Sequence, residues 1–338
     1  MIFLKYSKIS SFVVITGLLL IVGTNILAAD LVIYSGRSDK FIKPVIKSFT
    51  EKTGIKVILH SGKSTALLNK LKVEGDRSQA DLYISNDAGN LQKGSDLKLF
   101  VPLPSSIAEK VPAKFRGKLN DWLGLSARAR VLVVNTKAKM EPVDSVFDLA
   151  EPRFAGKLAI THSSNESYIA GTTVYLLSAG ESKTREWLQG MKKNADGKVF
   201  NKHSKIVKAV AKGQKYIGLV NHYYIYRHLD KHPDAPIKIV IPDQGDQGMG
   251  IAWNVAGIAL TKASKQKSNA KKLIEFLLSD AGQKQFAEVN REYPVRSDVA
   301  AAPMIPAIKN IKVSDVAMSE LGTQRDRTID LIESVGMP

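Results

Sequence analysis

At 338 residues the chain has room for two domains of ordinary size, and with 44% hydrophobic residues it can fill a complete core, which excludes a disordered polymer. It contains no cysteine, so disulfides, thiolate metal sites and cysteine nucleophiles are excluded. The formal charge of +17 is spread over most helical segments rather than gathered in an arginine-rich tail, so it reads as a solvated surface that favours anionic partners and not as a nucleic-acid interface.

The chain opens with Lys5 and Lys8, an apolar run over 12–22 (FVVITGLLLIV), and the small-residue stretch Leu27-Ala28-Ala29. That order of charge, apolar core and small residues marks residues 1–29 as a cleaved secretory signal peptide. The apolar run is short beside the ~20 residues a spanning helix needs, and no lipobox cysteine offers a lipid anchor. Cleavage after Ala28 or Ala29 leaves a periplasmic chain that starts near Asp30 with a charge of +15.

Strand-like runs then alternate with amphipathic segments. Residues 31–34 (LVIY) predict a strand. The apolar spacing of Phe41, Ile42, Val45, Ile46 and Phe49 predicts a helix over 39–53, stopped by Gly54. Pro44 suits only a first helical turn, so it implies a later start for that helix. Residues 55–59 read as a strand, and Ser64 as the cap of a helix carrying Leu67, Leu68 and Leu71. Strands follow at 80–85, 130–135 and 158–161, helices at 183–193 and 204–212, strands at 216–221, 237–241 and 255–260, and a helix at 269–289. This alternation predicts an α/β architecture with largely parallel sheets. No linker interrupts it, so two lobes are expected: 30–130 with 255–305, and 131–254 with 306–338. They would be joined by hinge strands near 131–135 and 254–260.

The most unusual cluster is Asn221-His222-Tyr223-Tyr224-Ile225-Tyr226. Aromatics at the end of an apolar strand are commonly wall residues. Within a strand, neighbours point to opposite faces, so Tyr223 and Tyr224 converge only if the strand ends there and a helix begins. Phenolate oxygen is a hard donor suited to a hard cation such as Fe³⁺.

Val32-Ile33-Tyr34-Ser35-Gly36-Arg37-Ser38, Ser126-Ala127-Arg128-Ala129-Arg130-Val131, Gly218-Leu219-Val220, Asn221-His222-Tyr223-Tyr224 and Glu292-Tyr293-Pro294-Val295 resemble segments of the ferric-ion-binding periplasmic proteins, in consistent order over the whole mature chain. The resemblance implies a type II periplasmic binding protein, with Fe(III) held in the cleft between lobes and delivered to the membrane permease of an ABC importer. It implies a monomer that is not an enzyme.

By the same resemblance Tyr223 and Tyr224 are paired iron ligands. Tyr168 is the third, following His162-Ser163-Ser164-Asn165 one residue further along than the pattern expects, with Tyr175 as its competitor. Members with a histidine ligand carry it where Ser38 stands, and a carboxylate ligand falls near Asn86, which is neutral with Asp87 beside it. The chain therefore resembles the tyrosine-dominated subgroup, in which carbonate or a similar anion completes the shell. Arg37 and Arg130 match positions that hold that anion. Ser163, Ser164 and Asn165 would add donors if they open a helix. Tyr34, Ser38, Asn86, Asn221 and His222 are expected around the ligands.

Two other readings stand beside this one. A periplasmic oxyanion or phosphonate carrier would use Arg37, Arg130 and the Ser163, Ser164, Asn165 turn, with the tyrosines as walls. An exported metal-dependent hydrolase finds no His/Asp/Glu cluster of catalytic spacing. Gly62-Lys63-Ser64 lacks the first glycine of a phosphate loop, and His228 and His232 lack a third ligand with Pro233 ending their helix.

Overall fold

The computed structural model describes residues 30–338, so the signal segment read from the first 29 residues lies outside the described residues. Ten strands carry the described fold: β1 (Leu31–Ser35), β2 (Val57–Ser61), β3 (Leu82–Ser85), β4 (Trp122–Asn135), β5 (Leu158–Thr161), β6 (Val199–Phe200), β7 (Ile217–Asn221), β8 (Ile237–Val240), β9 (Trp253–Leu260) and β10 (Tyr293–Pro294). They run in the order β2-β1-β3-β9-β4-β7-β5-β6, with β10 and β8 also on β4. Among the described residues no helix is long and apolar enough to cross a membrane.

The long strand β4 belongs to both halves of the molecule. Its first part pairs antiparallel with β9, Trp122 to Ala129 against Ala259 to Trp253. Its second part pairs antiparallel with β7, Arg130 opposite Asn221, and with β8, Leu132 opposite Val240. The two lobes meet at this change of partner. Arg130 N donates to Ala252 O at 2.9 Å and His222 N to Ala129 O at 3.0 Å, so the crossing lies at 129–130 and 252–253. The pairs β1–β2, β1–β3, β5–β6 and β5–β7 are parallel, while those of β4, β9 and β10 are antiparallel. The sheets are therefore mixed rather than largely parallel.

Helix Asp39–Thr53 buries the five residues its spacing predicts, each contributing about 1.5–3 kcal/mol when fully buried. Gly54 ends it at φ +73°, donating its N–H to Thr50 O at 2.8 Å. The later start is not observed. Pro44 sits inside the helix on its exposed side, where water can serve the carbonyl the proline cannot reach. Ser64 is not a cap either: it is the first residue of helix Ser64–Glu74, with Lys63 before it. The segment 269–289 is two helices, Lys267–Leu277 and Asp280–Asn290, parted where Ser279 caps the second by accepting from Gly282 N at 3.3 Å.

Of the described helices of nine residues or more, three escaped the sequence reading. Helix Glu166–Ala179 is apolar nearly all round and so shows no helical period, while Ala88–Asp96 and Arg325–Ser334 are short and polar. The C-terminal segment touches both lobes. Glu320–Thr323 packs on Ala88–Asp96, and Arg325–Ser334 packs on Glu166–Ala179.

Candidate metal centre at the lobe junction

Strand β7 stops at Asn221 and helix Tyr223–Leu229 starts two residues later, so the condition for the two tyrosines to share a space is met. Their ring centroids lie 4.3 Å apart. Tyr223 is buried and meets Phe41 of the first lobe edge-on at 5.7 Å, while Tyr224 stacks on His203 at 5.1 Å with 15° between planes. Burial pushes the Tyr224 phenol well above its ordinary range, and the Tyr223 hydroxyl beside it adds to that.

His222 fixes the turn. Its Nδ1 accepts from Ala129 N at 3.2 Å, and its ring packs on Tyr293 at 4.8 Å and Tyr223 at 5.7 Å. Burial lowers its pKa to about 3, so the ring is neutral and Nε2 carries the proton. Asn221 ties the turn to two other elements, accepting from Arg130 Nη1 at 3.2 Å and donating to Ser167 Oγ at 3.1 Å.

Arg130 is buried among Tyr168, Tyr175 and Tyr223, and desolvation lowers its pKa. Tyr168 is buried in helix Glu166–Ala179, stacked on Trp187 at 6.3 Å, and its hydroxyl has no partner among the described residues. Burial pushes its phenol up and the Arg130 charge opposes that; Tyr175 experiences the same two influences.

Not every residue expected at the site is aimed into it. Arg37 is buried against Glu292 in an ion pair, with its guanidinium over the rings of Phe41 at 5.5 Å and Phe286 at 5.4 Å. Tyr34 donates to the Glu74 carboxylate at 2.9 Å, packed on His60. Ser163 is bound to the C-terminal tail, its N–H to Pro338 O at 2.7 Å and its hydroxyl to Met337 O at 3.2 Å. Asn165 caps helix Glu166–Ala179 by accepting from Ser167 N at 3.0 Å, and Ser164 is exposed. Ser38 is exposed at the mouth of helix Asp39–Thr53, where its side chain makes no capping bond. Asn86 donates to Gly36 O at 2.6 Å and offers its own carbonyl to Arg128. Gly36 is required there, because a Cβ would lie 2.2 Å from Ser64 Oγ.

Sequence reasoning passed over three side chains that the fold brings to the junction. Arg128 lies two residues from Arg130 on one strand, hence on the same face, and its charge acts on Tyr224, His222, His203 and Glu166. The R-x-R spacing was the available signal. His203 is buried with both ring nitrogens unpartnered, and desolvation holds it neutral. Glu166 reaches across from the second lobe to accept from Ser64 Oγ at 3.4 Å and Asn90 Nδ2 at 3.3 Å. Burial, with Asp87 nearby, pushes its carboxyl above the usual range.

Among the described residues no three His, Asp or Glu side chains converge where they could hold a metal. A metal at this junction would therefore rest on phenolic oxygen, and the orphaned Tyr168 hydroxyl and adjacent Tyr223 and Tyr224 rings supply that donor type.

A family model described as bacterial extracellular solute-binding protein matches residues 45–313. The chain is 31% identical to iron uptake protein A1 of a Synechocystis strain, over 86% of this chain and 82% of that protein. Its structure resembles the ferric binding protein from Campylobacter jejuni with a TM-score of 0.85 at 28% identity, covering 91% of this chain and 100% of that one. It also resembles the Trichodesmium protein IdiA (FutA), solved with iron and citrate ligands, with a TM-score of 0.81 at 31% identity and coverage of 91% and 100%.

Proposed function

The chain belongs to the family of bacterial extracellular solute-binding proteins, and from that premise we propose that it captures Fe(III) in the periplasm and hands it to the permease of an ABC importer. It is a transport protein and not an enzyme. The observation that carries the cargo assignment is the Tyr223–Tyr224 pair, a buried and a half-buried ring 4.3 Å apart at the lobe junction, in a chain whose relatives are named for iron uptake or ferric iron binding.

In this reading Tyr223, Tyr224 and Tyr168 bind as phenolates, whose three charges balance the metal's three. A small anion, carbonate or a carboxylate, completes the shell beside Arg130 and Arg128. Arg128 takes the role that sequence gave to Arg37, because Glu292 already neutralises Arg37. Arg130 is suited to its role because it is buried without an acidic partner. Tyr34, Ser163, Ser164, Asn165 and Ser38 then shape the surroundings without touching the cargo.

The pH dependence follows from proton competition. Burial raises the phenol pKa of Tyr168 and Tyr224 in the metal-free protein, so loading displaces protons that are held tightly. Iron affinity falls as pH falls, and reduction to Fe²⁺ loosens the complex because the smaller charge offsets less of the cost of deprotonation.

The test is iron loading with bicarbonate, followed by visible absorption from tyrosinate-to-Fe³⁺ charge transfer. Tyr223→Phe and Tyr224→Phe keep the rings and delete the donor oxygens. Each should lose colour and weaken iron by more than the about 10–100-fold that loss of a supporting partner costs a metal site. If both variants keep full colour and affinity, the ligand assignment fails and the oxyanion-carrier reading takes its place.

A further inference from the structure

We propose that the first lobe carries a second ligand site, a cavity beside the strand crossing that takes a small aromatic carboxylate. The cavity has a volume of about 490 Å³, within the range of small-molecule sites. Its walls include the rings of Phe115, Trp253 and Tyr293 and the face of Pro294. Trp253 meets Tyr293 edge-on at 4.9 Å and lies tilted by 50° to Phe115 at 6.3 Å, so the walls are aromatic and braced against one another. None of these residues belongs to the tyrosine cluster assigned to iron.

Two polar features define what the walls would accept. Trp253 is buried, borders the cavity, and its indole N–H has no partner among the described residues. A buried donor left unmatched costs about 1–3 kcal/mol, which a ligand acceptor would recover. The other two tryptophans differ: Trp122 donates to Gln92 Oε1 at 3.1 Å and Trp187 to Val146 O at 2.9 Å. Lys114 and Lys309 also line the cavity and are exposed, the Lys114 ammonium over the Phe115 ring at 5.2 Å, while Arg296 and Asp298 of the same lining pair with each other. Aromatic walls suit an aromatic ring bound edge-on or offset, the indole N–H an acceptor on it, and the two ammonium groups an anionic end.

The experiment titrates the full mature chain with 2-naphthoate and follows the three tryptophan indole N–H signals by NMR, with Trp253→Phe identifying one of them. The expected result is a saturable shift of the Trp253 signal while those of Trp122 and Trp187 hold still. Ala300→Phe, which narrows the cavity from its exposed rim, should weaken binding by roughly tenfold. Lys114→Glu and Lys309→Glu should each weaken 2-naphthoate by up to about fivefold and leave neutral 2-naphthamide unchanged. The unmoved Trp122 and Trp187 signals report that each variant is folded. A Trp253 signal that does not move means the cavity holds water only and overturns the proposal. So do equal shifts at all three indoles, or binding indifferent to Ala300→Phe.

Discussion

On the first lobe's side of the junction the buried charges find partners within the protein. Arg37 pairs with Glu292, and Asp87 accepts from Arg325 at 2.8 Å and from Asn254 at 2.9 Å. The second lobe's side is finished differently. Among the described residues the buried Tyr168 hydroxyl and both nitrogens of His203 have no partner, and the Arg130 side chain has one hydrogen bond to a neutral amide and no acid. Polar groups without partners cost stability, so their gathering around the tyrosine cluster, apart from first-lobe groups such as the Trp253 indole N–H, supports placing the proposed cargo site on the second wall. In the proposed reading the first wall is mainly scaffold and the second supplies the metal donors.

The largest effect should come from breaking the scaffold. Glu292→Ala strands the Arg37 charge in the core and frees Ser126 Oγ, and should cost about 3–5 kcal/mol in urea denaturation. A loss under 1 kcal/mol would mean that the pair is not the anchor its burial implies. Arg325→Ala is milder, because Asp87 keeps its bonds to Asn90 and Asn254. About 1–3 kcal/mol should be lost.

Changes on the receptor wall should behave in the opposite way. Tyr168→Phe removes a hydroxyl that has no partner, so metal-free stability should stay level or rise by about 1 kcal/mol while iron affinity drops. A fall in metal-free stability would show that this hydroxyl is satisfied, and the contrast between the walls would lose its clearest member. The smallest signal is expected from shape. Fe(III) with bicarbonate should shift open molecules toward the closed arrangement and reduce the scattering radius slightly, provided the metal contacts the closed state better than the open one. An unchanged radius would mean that the walls do not separate.

Much of the fold was legible because single residues governed it. Phe41, Ile42, Val45, Ile46 and Phe49 announced a helix face and Gly54 its end. The first half of β4 was not legible, since Ser126 and Arg128 read as polar although both are buried. In the candidate site, the Tyr223–Tyr224 pair stood out in the chain, and its convergence depended on where β7 stops. Which arginine stays available could not be named. That depends on Glu292, 255 positions from Arg37, and no local pattern reveals a partner so distant.

The change of partner along β4 also bears on how the chain folds. In the first lobe's ladder β9 lies between β3 and β4, although it comes more than a hundred residues after either. Until Trp253 to Leu260 has been synthesised, that ladder lacks a central member, and β3 has no neighbour on that side. Pairings so distant in sequence form slowly, because a long loop must close before any contact repays it. The N-terminal part of the chain therefore remains unfinished through most of synthesis.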